Sequence, residues 1–177
     1  MVVGVFTQEE ITTLRFCADA VVRLAEFGLR GCVWVGGGAL GIGRLVPRGP
    51  LTDQRLVAIV SDHLPVTAAD WEIAWHAVEC LNDTVRAARR VAVTLPMADA
   101  VVVLRGASDI DAWCRLIGDV LVSHDPHRLM IDGEKKATRT VILLRSLLPE
   151  LLFLSWCLRD ERELVGVTGG ASDQTLS

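Results

Sequence analysis

Gly36, Gly37, Gly38, Ala39, Leu40 and Gly41 spell G-x-G-x-x-G directly after the apolar run at 32–35. In dinucleotide sites such glycines allow a tight turn, and they let backbone amides approach a pyrophosphate at a helix N-terminus. Asp62 lies about twenty residues further on, the spacing of an acid that binds ribose hydroxyls. Gly36, Gly38, Gly41 and Asp62 are therefore a candidate ligand-binding set. The residues that follow oppose it, because Gly43 and Pro47 stand where the first turns of a helix should form. A glycine-rich hairpin is the preferred reading of this segment, with Gly37 or Gly38 at positive φ.

His124-Asp125-Pro126-His127, with Asp132 nearby, is the densest group of metal-capable side chains. Neutral imidazoles and carboxylates are ordinary ligands of zinc and other transition metals, so His124, His127 and Asp132 form a candidate metal set. Pro126 suits an ordinary polar turn equally well, and spacing supplies no fourth ligand. His76 and Cys80 stand at i and i+4 on a helical pattern, where both can reach one ion or simply line a core. Ser61-Asp62-His63 sets a hydroxyl, an acid and an imidazole side by side, but catalytic triads are assembled in space and not by adjacency. No G-x-S-x-G elbow occurs. Arg115 follows Cys114 directly, yet neither Cys114 nor Cys17 has a neighbour that clearly lowers a thiol pKa.

The apolar residues offer a different lead. Trp71 and Trp75 are one helical turn apart, and Leu147, Leu151, Phe153 and Trp156 crowd a segment more apolar than one small core needs. Large apolar and aromatic residues gather at the centres of protein interfaces. These six are the candidate interface. The longest apolar stretch, residues 141–157, is interrupted by Arg145, Pro149 and Glu150, which argues against a membrane span.

Several elements must position these groups. Thr7-Gln8-Glu9-Glu10 has capping-box spacing, and Ile11, Leu14, Val21 and Leu24 recur behind it at helical intervals up to stop signals at Gly28 and Gly31. Strands are expected at 32–35 and 40–46, and the β-branched run at 56–60 suggests a third. Thr67 to Asp70 opens a second helix marked by Trp71, Trp75, Val78, Leu81 and Val85, ending near Arg90. There the cluster Arg86, Arg89 and Arg90 complements a helix dipole. Strands at 91–95 and 100–104, a helix over 110–121, a strand at 128–131 and a helix over 136–148, broken or kinked at Pro149, complete the order. The Gly- and Ser-rich tail from Gly166 is expected to fray.

The strand Val101-Val102-Val103-Leu104, then Gly106 and Asp109, a helix, and Arg128 to Asp132 resemble the strand–Gly–Asp–helix–strand core of STAS-type anti-sigma antagonist domains. That resemblance covers roughly a quarter of the chain. The family's Asp-Ser phosphorylation turn is replaced here by residues around Thr138-Arg139-Thr140, so no functional residue carries over.

Composition bounds the remainder. The 177 residues suffice for one domain, here residues 1–165 with a flexible tail at 166–177, and 51% hydrophobic against 23% charged residues exclude a disordered chain. Paired strands among helices favour α+β over strict α/β alternation, as a short mixed or antiparallel sheet covered by amphipathic helices. A net charge of −4 argues against nucleic acid, whose phosphates call for a basic face. Of eighteen basic residues only Lys135 and Lys136 are lysines, a sign of a GC-rich genome. The five cysteines, odd in number and without a CxxC pair, suit a reducing cytoplasm, and no secretory leader is discerned. The expectation is a non-enzymatic regulatory or protein-interaction protein, cofactor-free, that associates with itself or another protein through a hydrophobic helical face. The alternative is a small-ligand or nucleotide-binding protein, or an enzyme, built on residues 36–43.

Overall fold

The computed structural model describes residues 1–36, 43–65, 67–97, 101–123 and 134–169, with the side chains of the last helix described over 140–157. The chain runs β1 (Val2–Val5), α1 (Gln8–Arg30), β2 (Cys32–Gly36), β3 (Gly43–Pro47), α2 (Gln54–Asp62), α3 (Asp70–Thr94), β4 (Val101–Leu104), α4 (Ala107–Ser123) and α5 (Glu134–Gly169). It is a mostly helical α+β body. The strands do not make one sheet: β1 pairs antiparallel with β4, and β2 with β3.

Helix α1 begins as its capping box predicts. Thr7 Oγ1 accepts from the Glu10 amide at 3.2 Å, and Glu10 Oε2 accepts from the Thr7 amide at 2.7 Å. Gly28 is not a stop. It lies inside the helix, where a Cβ would come within 2.9 Å of Leu81 Cδ1 and 3.0 Å of Leu56 Cδ1, so its bareness lets α2 and α3 close on α1.

Two strand expectations are corrected, and one strand is added. Residues 56–60 belong to α2, because Asp53 caps it by accepting from the Arg55 amide at 2.9 Å and Leu56, Ile59 and Val60 bury one helical face. Tertiary burial outweighs the modest helix reluctance of Val and Ile here. Residues 91–94 continue α3, whose Val91 is fully buried in register with Ala88 and Ala87. The N-terminal Val2–Val5, a strand the apolar pattern does not announce, gains its definition from pairing Val2 with Leu104 and Val5 with Val101. The expected strand at 128–131 lies outside the described residues.

Helix α3 starts without a side-chain cap. Instead Glu72 Oε2 reaches back to the Ala69 amide at 2.7 Å, half of a capping box two residues later than the Thr67 spacing suggests. Helix α5 (Glu134–Gly169) contains Pro149, so the helix does not break there.

Helix α4 is the centre of the assembly, touching α1, α2, α3 and α5. One core cluster joins α1, the C-terminal half of α3, β4, α4 and α5 around Trp113, Ile117 and Leu144. A second joins the end of α1, α2 and the middle of α3 around Ile59, Leu81 and Ala25.

The turn between β4 and α4 is held by Asp109. Its carboxylate accepts from the Arg105 amide at 2.8 Å and from Arg90 Nε at 2.7 Å. The Arg105 amide first, then Arg90, holds this carboxyl below the usual carboxylate range against the opposing effect of burial. A carboxylate of depressed pKa stabilises the fold above its unfolded value of about 3.9, and the contribution is lost as pH falls through the folded value. Asp109→Asn is expected to cost about 2 kcal/mol at pH 7, the scale of hydrogen bonds to a charged group. In urea titrations the gap between variant and wild type should close as pH drops below about 4. A gap that stays constant down to acid pH would refute this role.

Candidate functional site

Two places in the structure concentrate chemistry or exposed apolar surface. The first is polar and interior. Asp119 of α4 has no accessible surface, and its Oδ1 lies 2.9 Å from His63 Nε2 at the end of α2. Its Oδ2 is 3.8 Å from Arg115 Nε, one turn earlier on α4, and neither of those two atoms has a hydrogen-bond partner. Arg115 Nη2 instead donates to the Cys80 carbonyl at 2.9 Å, with Nη1 3.9 Å from Asp83 Oδ2. Asp83 pairs in turn with Arg86. Imidazole, carboxylate and guanidinium thus tie α2, α3 and α4 together across the second core cluster.

This cluster has the groups of an acid–base site but no activated nucleophile. The Cys80 thiol is pushed up, chiefly by burial with partial relief from Arg115. Cys32 is raised by burial too, and Cys17 is pushed up to about 11. Thiols so raised hold little thiolate at neutral pH. His63 pairs with Asp119 of α4 and not with its sequence neighbour Asp62.

The glycine-rich segment is closed by a hairpin. Strands β2 and β3 are antiparallel, with Gly36 opposite Gly43, and Gly36 takes φ 122°, which glycine alone adopts easily. Gly43 passes directly beneath the Trp34 indole, and a Cβ there would collide with it. A strand, not a helix, follows the glycines, and Asp62 ends helix α2 exposed instead of ending a strand. Among the described residues, Gly36 is therefore followed by a strand and not by the helix N-terminus that a dinucleotide fingerprint needs. Gly38 and Gly41 lie outside the described residues, as do His124, His127 and Asp132. Among the described residues, no three His, Cys, Asp or Glu side chains group to hold a metal ion. His76 leans towards Glu79, 4.0 Å away, and Cys80 belongs to the edge of the second core cluster.

The second place is the exposed apolar surface, and it divides the six interface candidates. Trp71 and Trp75 stand on the first turns of α3 beside the hairpin. Trp75 is covered in part by Arg44, whose guanidinium carbon lies 4.3 Å from the ring centroid and whose Nη2 donates to the Trp75 carbonyl at 2.8 Å. Trp71 stays open, at 69% exposure. On α5, Leu151 is buried and Leu147 half-buried against the first core cluster. Phe153 and Trp156 do face outward, 62% and 60% exposed, with their rings 6.3 Å apart.

Helix α5 therefore has two sides. Leu144, Leu148, Leu151 and Ser155 recur at intervals of four, three and four on the side docked to α4, where Ser155 Oγ donates to Asp111 Oδ1 at 2.8 Å. Opposite them, Ile142, Pro149, Phe153 and Trp156 fall at i, i+7, i+11 and i+14, one helical stripe by spacing. Ile142 and Leu152 are also exposed, and neither was singled out from the sequence. The stripe's own periodicity is the signal that would have found Ile142, while Leu152 flanks the stripe.

By length and composition alone, residues Thr140–Cys157 suffice to cross a membrane. Comparison of the chain with known protein families, with curated proteins and with solved structures returns no match.

Proposed function

We propose that this is a non-enzymatic protein-interaction protein that associates through the outer stripe of α5. The observation that carries the reading is the pair Phe153 and Trp156, two large side chains held in mutual contact and mostly open to water. Full burial of an aromatic side chain removes about 150–250 Å² from water, and well over half of each of these two is still exposed. The length of α5 supports the same reading. Its 36 residues span about 54 Å, whereas the 17 residues of α4 span about 26 Å, so α4 cannot cover it.

A protein partner suits this helix better than a lipid one. Along one side α5 is docked to α4, a helix carrying Asp109, Asp111, Arg115 and Asp119, and a bilayer leaves no place for that companion. Nucleic acid is disfavoured by charge. Besides the net charge of −4, the basic cluster on α3 is neutralised internally: Arg86 by Asp83, Arg89 by Glu26 at 2.8 Å, and Arg90 by Asp109 at 2.7 Å.

The test is association state. Wild-type protein at micromolar concentration is expected to sediment as a dimer or larger. The Phe153→Glu/Trp156→Glu variant, changed only at exposed positions, is expected to run as a monomer with unaltered circular dichroism. A monomeric wild type would refute self-association. Flotation of the wild type with phosphatidylcholine–phosphatidylglycerol vesicles, lost in the variant, would replace it with a lipid-binding reading.

A further inference from the structure

We infer that the occupant of the α5 stripe is the same stripe of a second copy, lying parallel and in register, with its orientation chosen by Arg145 and Glu150. This rests on the interaction reading above and adds the partner and its geometry.

The spacing assigns the positions. Ile142, Ser146, Pro149, Phe153 and Trp156 follow one another at intervals of four, three, four and three, the a/d repeat of a two-helix seam. With Ser146 and Phe153 at a, the d positions are Ile142, Pro149 and Trp156. Arg145 and Leu152 then stand at g on one flank, and Leu143, Glu150 and Cys157 at e on the other. Arg145, Glu150 and Leu152 are exposed, and among the described residues neither Arg145 nor Glu150 forms an ion pair.

Two orientations of a second copy bring different flanks together. In a parallel pair related by an axis along the helices, each g residue faces the e residue five positions later on the partner. That sets Arg145 against Glu150, twice by symmetry, and Leu152 against Cys157, a small apolar thiol. Charge meets charge and apolar meets apolar. In an antiparallel pair the axis is perpendicular to the helices, and each flank meets its own equivalent. Arg145 then neighbours Arg145 or Leu152, and Glu150 neighbours Glu150 or Leu143, which leaves each charge against a like charge or a hydrocarbon. Flanking charges of this kind set orientation in paired helices. In either orientation the two bodies lie on opposite outer sides, because the stripe lies opposite the Leu144–Leu148–Leu151 side that holds α4, so the flanking residues alone choose between them.

The seam is about two heptads long. Asp160 and Glu163 occupy the next a and d positions, so it ends after Trp156.

The experiment combines charge exchange with cross-linking in the full chain. Arg145→Glu and Glu150→Arg are each expected to raise the dimer dissociation constant at least tenfold in sedimentation at low salt. The exchanged double variant Arg145→Glu/Glu150→Arg should return to within about threefold of wild type, since it restores the pair with signs reversed. Ser146→Cys is expected to give a disulfide-linked dimer under mild oxidation, because equivalent a positions face each other only in the parallel register. The wild type under the same oxidant controls for the native thiols. A wild-type dimer that is indifferent to both charge reversals and fails to cross-link through Ser146→Cys would overturn the parallel register while leaving self-association standing. A wild-type monomer would remove both.

Discussion

Replacing Arg115 with methionine is expected to lower stability by about 3–5 kcal/mol, the cost of stranding a buried charge. Arg115 is the only cation among the described residues, besides the titratable imidazole of His63, within 4 Å of the fully buried Asp119 carboxylate. With it gone, Asp119 Oδ2 has neither a hydrogen bond nor an opposing charge, and the Cys80 carbonyl loses its donor. The informative control is Arg115→Met with Asp119→Leu. Removing both charges leaves apolar groups of similar volume, and such replacements are neutral or stabilising where single removals are not. The double variant should therefore recover more than half of the loss. Urea unfolding at pH 7 measures both. A single variant that loses under about 1 kcal/mol, or a double variant less stable than the single, would show that the cluster is a surface ion pair in effect.

The other large effect is expected at Trp113. Its indole is 2% exposed at the centre of the first core cluster, 5.9 Å from the Phe6 ring centroid, and its Nε1 donates to Thr94 Oγ1 at 2.9 Å. Trp113→Ala should cost about 3–5 kcal/mol, as large-to-small changes in well-packed cores do. Trp113→Phe keeps most of the ring and loses the donor. Thr94 still donates to the Val91 carbonyl at 2.7 Å, so that variant should lose only about 1–2 kcal/mol, for the hydrogen bond and the smaller ring. Equal losses in the two variants would mean that the indole N–H, and not the packed ring, anchors α4 to the end of α3.

If α5 self-associates as proposed, these measurements depend on protein concentration, because dimerisation adds to the apparent stability of the native state. Running them in the Phe153→Glu/Trp156→Glu background separates the intramolecular cost from the linked association.

Local chemistry was readable in advance wherever it was self-contained. The Thr7–Glu10 capping box, the period of α1 and the pairing that flanks the glycine-rich segment depend on contacts between residues a few positions apart, and each formed as its spacing implies, whereas of the apolar face of α3 Val78, Leu81 and Val85 are buried and Trp71 and Trp75 are exposed. The α+β class follows from the same local patterns. Of the apolar stripe, Phe153 and Trp156 were evident as surplus, although Leu147 and Leu151, equally apolar, turned out to serve the core. Composition cannot distinguish the two sides of a helix until its neighbour is known.

Tertiary structure decided everything that depends on a distant partner. The run at 56–60 became helix because Gly28 of α1 and Leu81 of α3 leave a groove that a helix fills. Val2–Val5 became a strand because β4, a hundred residues away, offered it an edge. His63 found Asp119 across 56 positions, while its neighbour Asp62 stayed in water. The arginines of α3, which the sequence presents as one basic cluster, were drawn apart to Asp83, Glu26 and Asp109. Capping and periodicity act within a turn or two of chain, so they are written locally. Burial and charge pairing act through space, and only the packed fold settles which residues they bring together.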